Sequence, residues 1–168
     1  MRKGFTLIEL LVVLVIISLV SAFVAPRITA PIGGLQLKTA SKKIAGAMRY
    51  SRSLAVSEKQ LRTCVFDFDH HWMAVFSGDV PDLDGMADQQ VKAGAEIFYP
   101  LPDGVLLKEA IFGDTTVETG LFQVVFFTNG SASGGEIYLA NEKGRSFRIS
   151  IDFITGMVAL TEPETAAS

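Results

Sequence analysis

Residues 2 to 17 read RKGFTLIELLVVLVII: two basic residues and a glycine lead into an apolar run that carries one carboxylate, Glu9. From Phe5 to Ala25 only Thr6, Glu9, Ser18 and Ser21 are polar. As a helix this run spans roughly 31 Å, close to the hydrocarbon thickness of a bilayer. Arg2 and Lys3 precede it, so the positive-inside rule keeps the N-terminus cytoplasmic and exports the rest. The chain must therefore divide into a membrane-length helix and something else. The charge needs its own explanation. A carboxylate in a membrane helix costs about 2.5–3.5 kcal/mol at the centre, less near an end, and usually marks function.

Three readings of the segment compete. Val20-Ser21-Ala22 offers small residues before Phe23, as a secretory cleavage site would. A plain signal anchor is the second reading. Both leave Glu9 unexplained. The third accounts for Gly4, Phe5 and Glu9 together. KGFTLIELLVVLVIISLVSA resembles the class III signal of type IV pilins and type II secretion pseudopilins. That resemblance implies cleavage by a prepilin peptidase between Gly4 and Phe5 and N-methylation of Phe5, with Arg2 and Lys3 as leader charges. It also implies that the apolar run is kept as an assembly helix. Cleavage would create an α-amino group on Phe5, with a reference pKa of about 7.7–8.0. Glu9 lies one turn deeper on the same face. The family role of this Glu is to meet the N-terminal amine of a neighbouring subunit, which sets the axial register between helices as buried polar groups do in coiled coils.

The chain has 168 residues, enough for one domain plus an anchor. A net charge of −3 names no partner. Cys64 is the only cysteine, so an intrachain disulfide is impossible, although this does not exclude an oxidising compartment.

Pro26 should end or kink the first helix. Pro31 and Gly33-Gly34 follow it, so residues 26–34 read as a linker. This is either a simple domain boundary or, by the resemblance, a bent or locally melted helix. Leu37, Ala40, Ile44, Ala47, Met48, Ser51, Leu54 and Ala55 then recur at helical spacing, which predicts a helix over Leu35–Glu58 whose small residues let a sheet pack closely. Beyond Gln60 the period changes to two. Cys64, Phe66 and Phe68 and then Trp72, Ala74 and Phe76 predict a hairpin around Asp69-His70-His71. Residues 78–95 read as a long acidic loop. Val105–Ile111, Gln123–Phe127, Phe147–Phe153 and Met157–Leu160 read as strands, with turns at Asn129-Gly130, Gly134-Gly135, 141–144 and Thr155-Gly156. The tail 161–168 reads as disordered.

The fold class expected is α+β: a long N-terminal transmembrane or assembly helix, then one helix and about seven mainly antiparallel strands, a pilin-like head over residues 35–160. MRYSRSLAVSEKQ and FFTNGSASGGEIYLANEKGRSFRISIDFITGMV resemble the helix end and the C-terminal strand–turn–strand repeat of GspH/FimT-type pseudopilins. The resemblance implies a non-enzymatic minor pseudopilin of a type II secretion system, assisting export of folded proteins across the outer membrane. Its partners would be major and minor pseudopilins, the prepilin peptidase, the inner-membrane assembly platform and the lipid bilayer. It would be single-pass in the inner membrane, with a periplasmic head. The alternative is a FimT-like minor pilin that binds DNA for uptake, through Lys143, Arg145 and Arg148. Glu142 and Asp152 lie near those three in sequence, and nucleic acid is not the partner favoured.

No motif marks a catalytic nucleophile, and no glycine-rich loop joins a strand to a helix as a phosphate site would need. Adjacent His70 and His71 on a strand face opposite sides. With one cysteine and no third histidine, a zinc site and other metal cofactors are not expected. Asp79, Asp82, Asp84 and Asp88 resemble a calcium loop only superficially, because Val80 and Val91 would occupy the first and last EF-hand ligand positions. Charge is unevenly laid out. Lys38, Lys42, Lys43, Arg49, Arg52, Lys59 and Arg62 accompany one acid, Glu58, whereas Thr63 to Glu142 holds Lys92, Lys108 and thirteen acids. Two arrangements fit this. The basic helix faces acidic loops of a neighbouring subunit, in a salt-sensitive contact, or the charges pair within the chain.

Overall fold

A computed structural model of the chain describes residues 6–28, 32–78, 80 and 88–162. Arg2, Lys3, Gly4, Phe5, Asp79, Asp82 and Asp84, the middle of the linker and residues 163–168 lie outside these. The chain divides into two units, residues 1–32 and 33–168.

The first unit holds α1, Leu7–Ile28. Its helix runs past Pro26, where the sequence predicts an end or a kink. Among the described residues no helix is long and apolar enough to cross a membrane. The side chains described in α1 run from Leu7 to Val20, roughly 21 Å of rise, against a hydrocarbon thickness of ~30 Å. The sequence stays apolar to Ala25.

α2, Ile32–Glu58, lies in the second unit from Gly33 on. Leu37, Ala40, Ser41, Ile44, Ala45, Met48, Ser51 and Ala55 form its buried stripe. Alanines and serines dominate it, so the helix axis can lie close to the strands. The two buried hydroxyls remain satisfied by donating one turn back, Ser41 to the Leu37 carbonyl at 2.8 Å and Ser51 to the Ala47 carbonyl at 2.9 Å. Lys59 follows with φ 55, a left-handed residue at the helix end.

Among the described residues nine strands, where about seven were expected, make two sheets. The first sheet holds β1 (Arg62–Asp67), β2 (Trp72–Ser77), β3 (Ile97–Pro100) and β6 (Leu121–Phe126) in the order β3-β2-β1-β6. The second holds β4 (Val105–Phe112), β5 (Thr115–Val117), β7 (Gly135–Asn141), β8 (Ser146–Ile151) and β9 (Val158–Thr161) in the order β5-β4-β7-β8-β9. Every pairing is antiparallel. The α2 stripe shares one core with Phe66, Met73, Phe126, Ile137, Leu139 and Ile149, which come from both sheets.

Two expectations change here. Residues 78–95 are not one open loop. Asp88–Gly94 form a short helix, α3. Its Val91 joins Val65, Trp72, Ala74 and Phe76 in a second apolar cluster. Those in β1 and β2 alternate with the core-facing ones, so these two strands are buried on both faces. Phe153 is the other change. It continues the alternation of β8, yet the strand ends at Ile151 and Phe153 is 64% exposed.

Candidate functional site

The N-terminus of α1 explains part of the charge that opened the question. Thr6 precedes the first helical residue and Glu9 stands three residues on. The Glu9 amide donates to the Thr6 carbonyl at 3.1 Å and to Thr6 Oγ1 at 3.3 Å. Thr6 is thus the N-cap and Glu9 occupies the acidic position of a capping box. A carboxylate there is favoured by the helix dipole. Sequence reasoning missed this local role, although the T-x-x-E signal was present. Along the helix the apolar side chains differ by face. Leu7, Leu10, Leu11 and Leu14 line one side with Ser18. Val12, Val13, Ile16 and Val20 follow Glu9 at helical spacing on another. All the large apolar residues from Leu7 to Val20 are at least 46% exposed. The surface is chemically suited to packing against further apolar helices.

The head gives a mixed answer on charge layout. Arg62, one of the seven basic residues counted along this stretch, is 3% exposed and bridges Glu58 and Glu96, a pairing within the chain. Arg49 Nε donates to the Val158 carbonyl at 3.0 Å. Arg52 Nε donates to the carbonyls of Gly130 at 3.0 Å and Thr155 at 2.9 Å. Lys43 Nζ lies 4.9 Å from the centre of the Tyr99 ring. Four of the seven basic residues therefore act within the chain, and three of those contacts are to carbonyls or a ring rather than to acids. Lys38, Lys42 and Lys59 are exposed.

His70 and His71 close the β1–β2 hairpin. Asp67 accepts from the amides of Asp69 at 2.8 Å and His70 at 2.7 Å, and lies 3.0 Å from His70 Nδ1. His71 has φ 53, a turn conformation. Among the described residues no three His, Cys, Asp or Glu side chains are arranged to hold a metal. Burial pushes the Cys64 thiol up to about 12, only partly offset by a hydrogen bond with Ser51, so it is no nucleophile. At the β7–β8 turn Arg145 pairs with Glu162, and Arg148 lies 3.4 Å from Glu136, whose other oxygen accepts from the Tyr138 hydroxyl at 2.8 Å. Two of the three cations considered for DNA, Arg145 and Arg148, thus stand beside acids.

The most organised surface is one that sequence reasoning did not single out as a site. The loop from β8 to β9 is braced from several sides. Asp152 Oδ1 accepts from the Thr155 amide and hydroxyl, both at 2.7 Å, and the Gly156 amide donates to the Asp152 carbonyl at 2.8 Å. The Ala132 amide donates to the Phe153 carbonyl at 3.2 Å, and Arg52 ties this loop to the one at Gly130. The T-G turn and an arginine beside the buried helical stripe were its only sequence signals.

Solved structures resembling this one include the minor pseudopilin EpsH of the type 2 secretion system of Vibrio cholerae, with TM-score 0.55, 11% identity and coverage of 77% of this chain and 99% of that one. The type IV minor pilin FimU of Pseudomonas aeruginosa matches with TM-score 0.52, 14% identity and coverage of 78% and 100%. The fold defines a pilin-like α+β protein, a long helix and then an antiparallel head. Residues 1–25 match the prokaryotic N-terminal methylation motif, and residues 40–155 match the type II transport protein GspH. The chain belongs to the GspH family, as a GspH-like minor pseudopilin. A type II secretion system protein H from Xanthomonas campestris pv. campestris is 25% identical over 156 residues, covering 93% of this chain and 81% of that protein.

Proposed function

We propose that this chain is a non-enzymatic subunit of a periplasmic pseudopilus that assists export of folded proteins across the outer membrane. Residues 1–4 act as a leader, 5–25 as the anchor and assembly helix, and the head follows the junction between α1 and α2. Prepilin peptidase cuts between Gly4 and Phe5, Phe5 is N-methylated, and Arg2 and Lys3 hold the leader in the cytoplasm. The observation that carries this reading is α1 itself, a helix whose large apolar side chains are exposed from Leu7 to Val20, with a single carboxylate in its first turn. Packed among other such helices, Glu9 needs a cation, and the new amine of a neighbouring subunit supplies one. The partners are other pseudopilins and the inner-membrane platform that lifts the processed chain from the bilayer.

Intact mass of the protein extracted from membranes tests the processing step. The expected product lacks Met1 to Gly4 and carries one added methyl group. A mature chain beginning at Phe23 would overturn the proposal, because it would lack the helix on which assembly depends.

A further inference from the structure

The β8–β9 loop presents Phe153, Ile154 and Met157 to solvent at 64%, 68% and 66% exposure. These are large apolar side chains on a loop whose backbone is held by Asp152, Thr155, Arg52 and the neighbouring segment at Ala132. Gly156 makes the bracing possible. Its φ is 62, and a Cβ there would fall on the Gly130 carbonyl oxygen and beside Arg52 Nε. Phe127 and Val56, on the adjoining loop and the last turns of α2, add partly exposed apolar surface. Arg52 lies toward the C-terminal end of α2, opposite the end that joins α1 through the linker.

We infer that this loop is a docking surface for the head of a different pseudopilin in the same fibre, one that offers an apolar recess with a basic group at its rim. The inference rests on the assembly reading above and adds the surface to it. Size argues for that occupant. Three such side chains expose on the order of 300–400 Å² of apolar area, about half of the ~800 Å² per partner that free-standing interfaces bury. The patch is too small to hold a second copy, or a soluble cargo protein, from free solution. It suffices between chains whose helices already share a fibre, where the effective concentration is high. Rigidity argues the same way, because a braced loop loses little freedom on docking. The charge at the rim comes from Asp152. It is fully exposed, and the Thr155 amide and hydroxyl hold its carboxyl below the usual carboxylate range, so it remains an anion that a partner's Lys or Arg can meet.

The test uses the full chain with Ile154→Cys, produced in membranes together with the other pseudopilins of its secretion system. Cys64 is fully buried, so in this chain the new thiol is the one that a benzophenone maleimide reaches. Light should join residue 154 to the head of another pseudopilin, identified by mass spectrometry of the adduct. In parallel, Phe153→Ser, Ile154→Ser and Met157→Ser combined should lower recovery of that partner about tenfold, at an unchanged melting temperature. An adduct only with lipid, with a second copy of this chain or with cargo overturns the inference. So does full recovery of the partner by the triple variant. If the unaltered chain brings down no pseudopilin at all, the assembly reading fails first, and this surface with it.

Discussion

Cys64 lies in β1 under Ser51 of α2, wholly buried, with its thiol pushed up to about 12 from an ordinary 9.0. An acid whose pKa rises on folding holds its proton longer in the folded state. Its contribution to stability is complete below about pH 9 and is lost as pH climbs toward 12. Alkaline unfolding should therefore steepen in that window, and Cys64→Ala should flatten this part of the curve, measured by urea midpoints across pH. The sequence made Cys64 legible as a small buried apolar residue because it sits in an alternating strand. Arg62 shows the opposite. Its place among seven basic residues left contact with a neighbouring subunit and pairing within the chain both open, and it is buried between Glu58 and Glu96, with its Nε finding no partner among the described residues. Glu96 is distant in sequence, so no local pattern could announce the bridge.

At the scale of elements, the braced loops make the sharpest stability prediction. Gly156→Ala puts a side chain where φ is 62 and where the Gly130 carbonyl and Arg52 already stand. The expected loss is about 2–3 kcal/mol, strain and displaced hydrogen bonds together, read from denaturant midpoints at constant m-value. Combining it with Arg52→Ala should cost less than the sum, since both changes break the same contact. The α2 stripe, the β1–β2 hairpin and β8 were legible because each repeats at its own period over enough residues. α3 was not, because a helix of 7 residues offers too few repeats. β7 was hidden by Gly135 and Glu136 at its start, and Ile137 and Leu139 become recognisable as core only once β4 and β8 flank them. The division into two sheets was invisible for a similar reason. A list of strands carries their pattern and not their neighbours.

At the scale of the whole molecule, two proposed roles of Glu9 can be separated, the acidic position of its own helix's capping box and the charge offered to another subunit. Glu9→Val removes both, and membrane insertion and leader cleavage should survive while co-purification with other pseudopilins falls. Glu9→Gln keeps a group that can serve the capping box but loses the charge. If the charge matters, Gln should fail as Val does. Recovery by Gln would assign the effect to the cap. The N-terminal signal was the most legible part of the candidate site, because one apolar run with one carboxylate leaves few explanations. The exposed loop at Phe153 was the least legible, because outward and inward apolar residues look alike in a sequence. The evenly apolar surface of α1, from Leu7 to Val20, has a further consequence if the chain moves from lipid into a fibre. Lipid tails and neighbouring helices are nearly equivalent surroundings for Leu, Val and Ile, so the transfer itself changes the free energy little. A polymer built this way is poised rather than locked. Modest mechanical work can extend it, and its subunits can melt back into the bilayer to be used again.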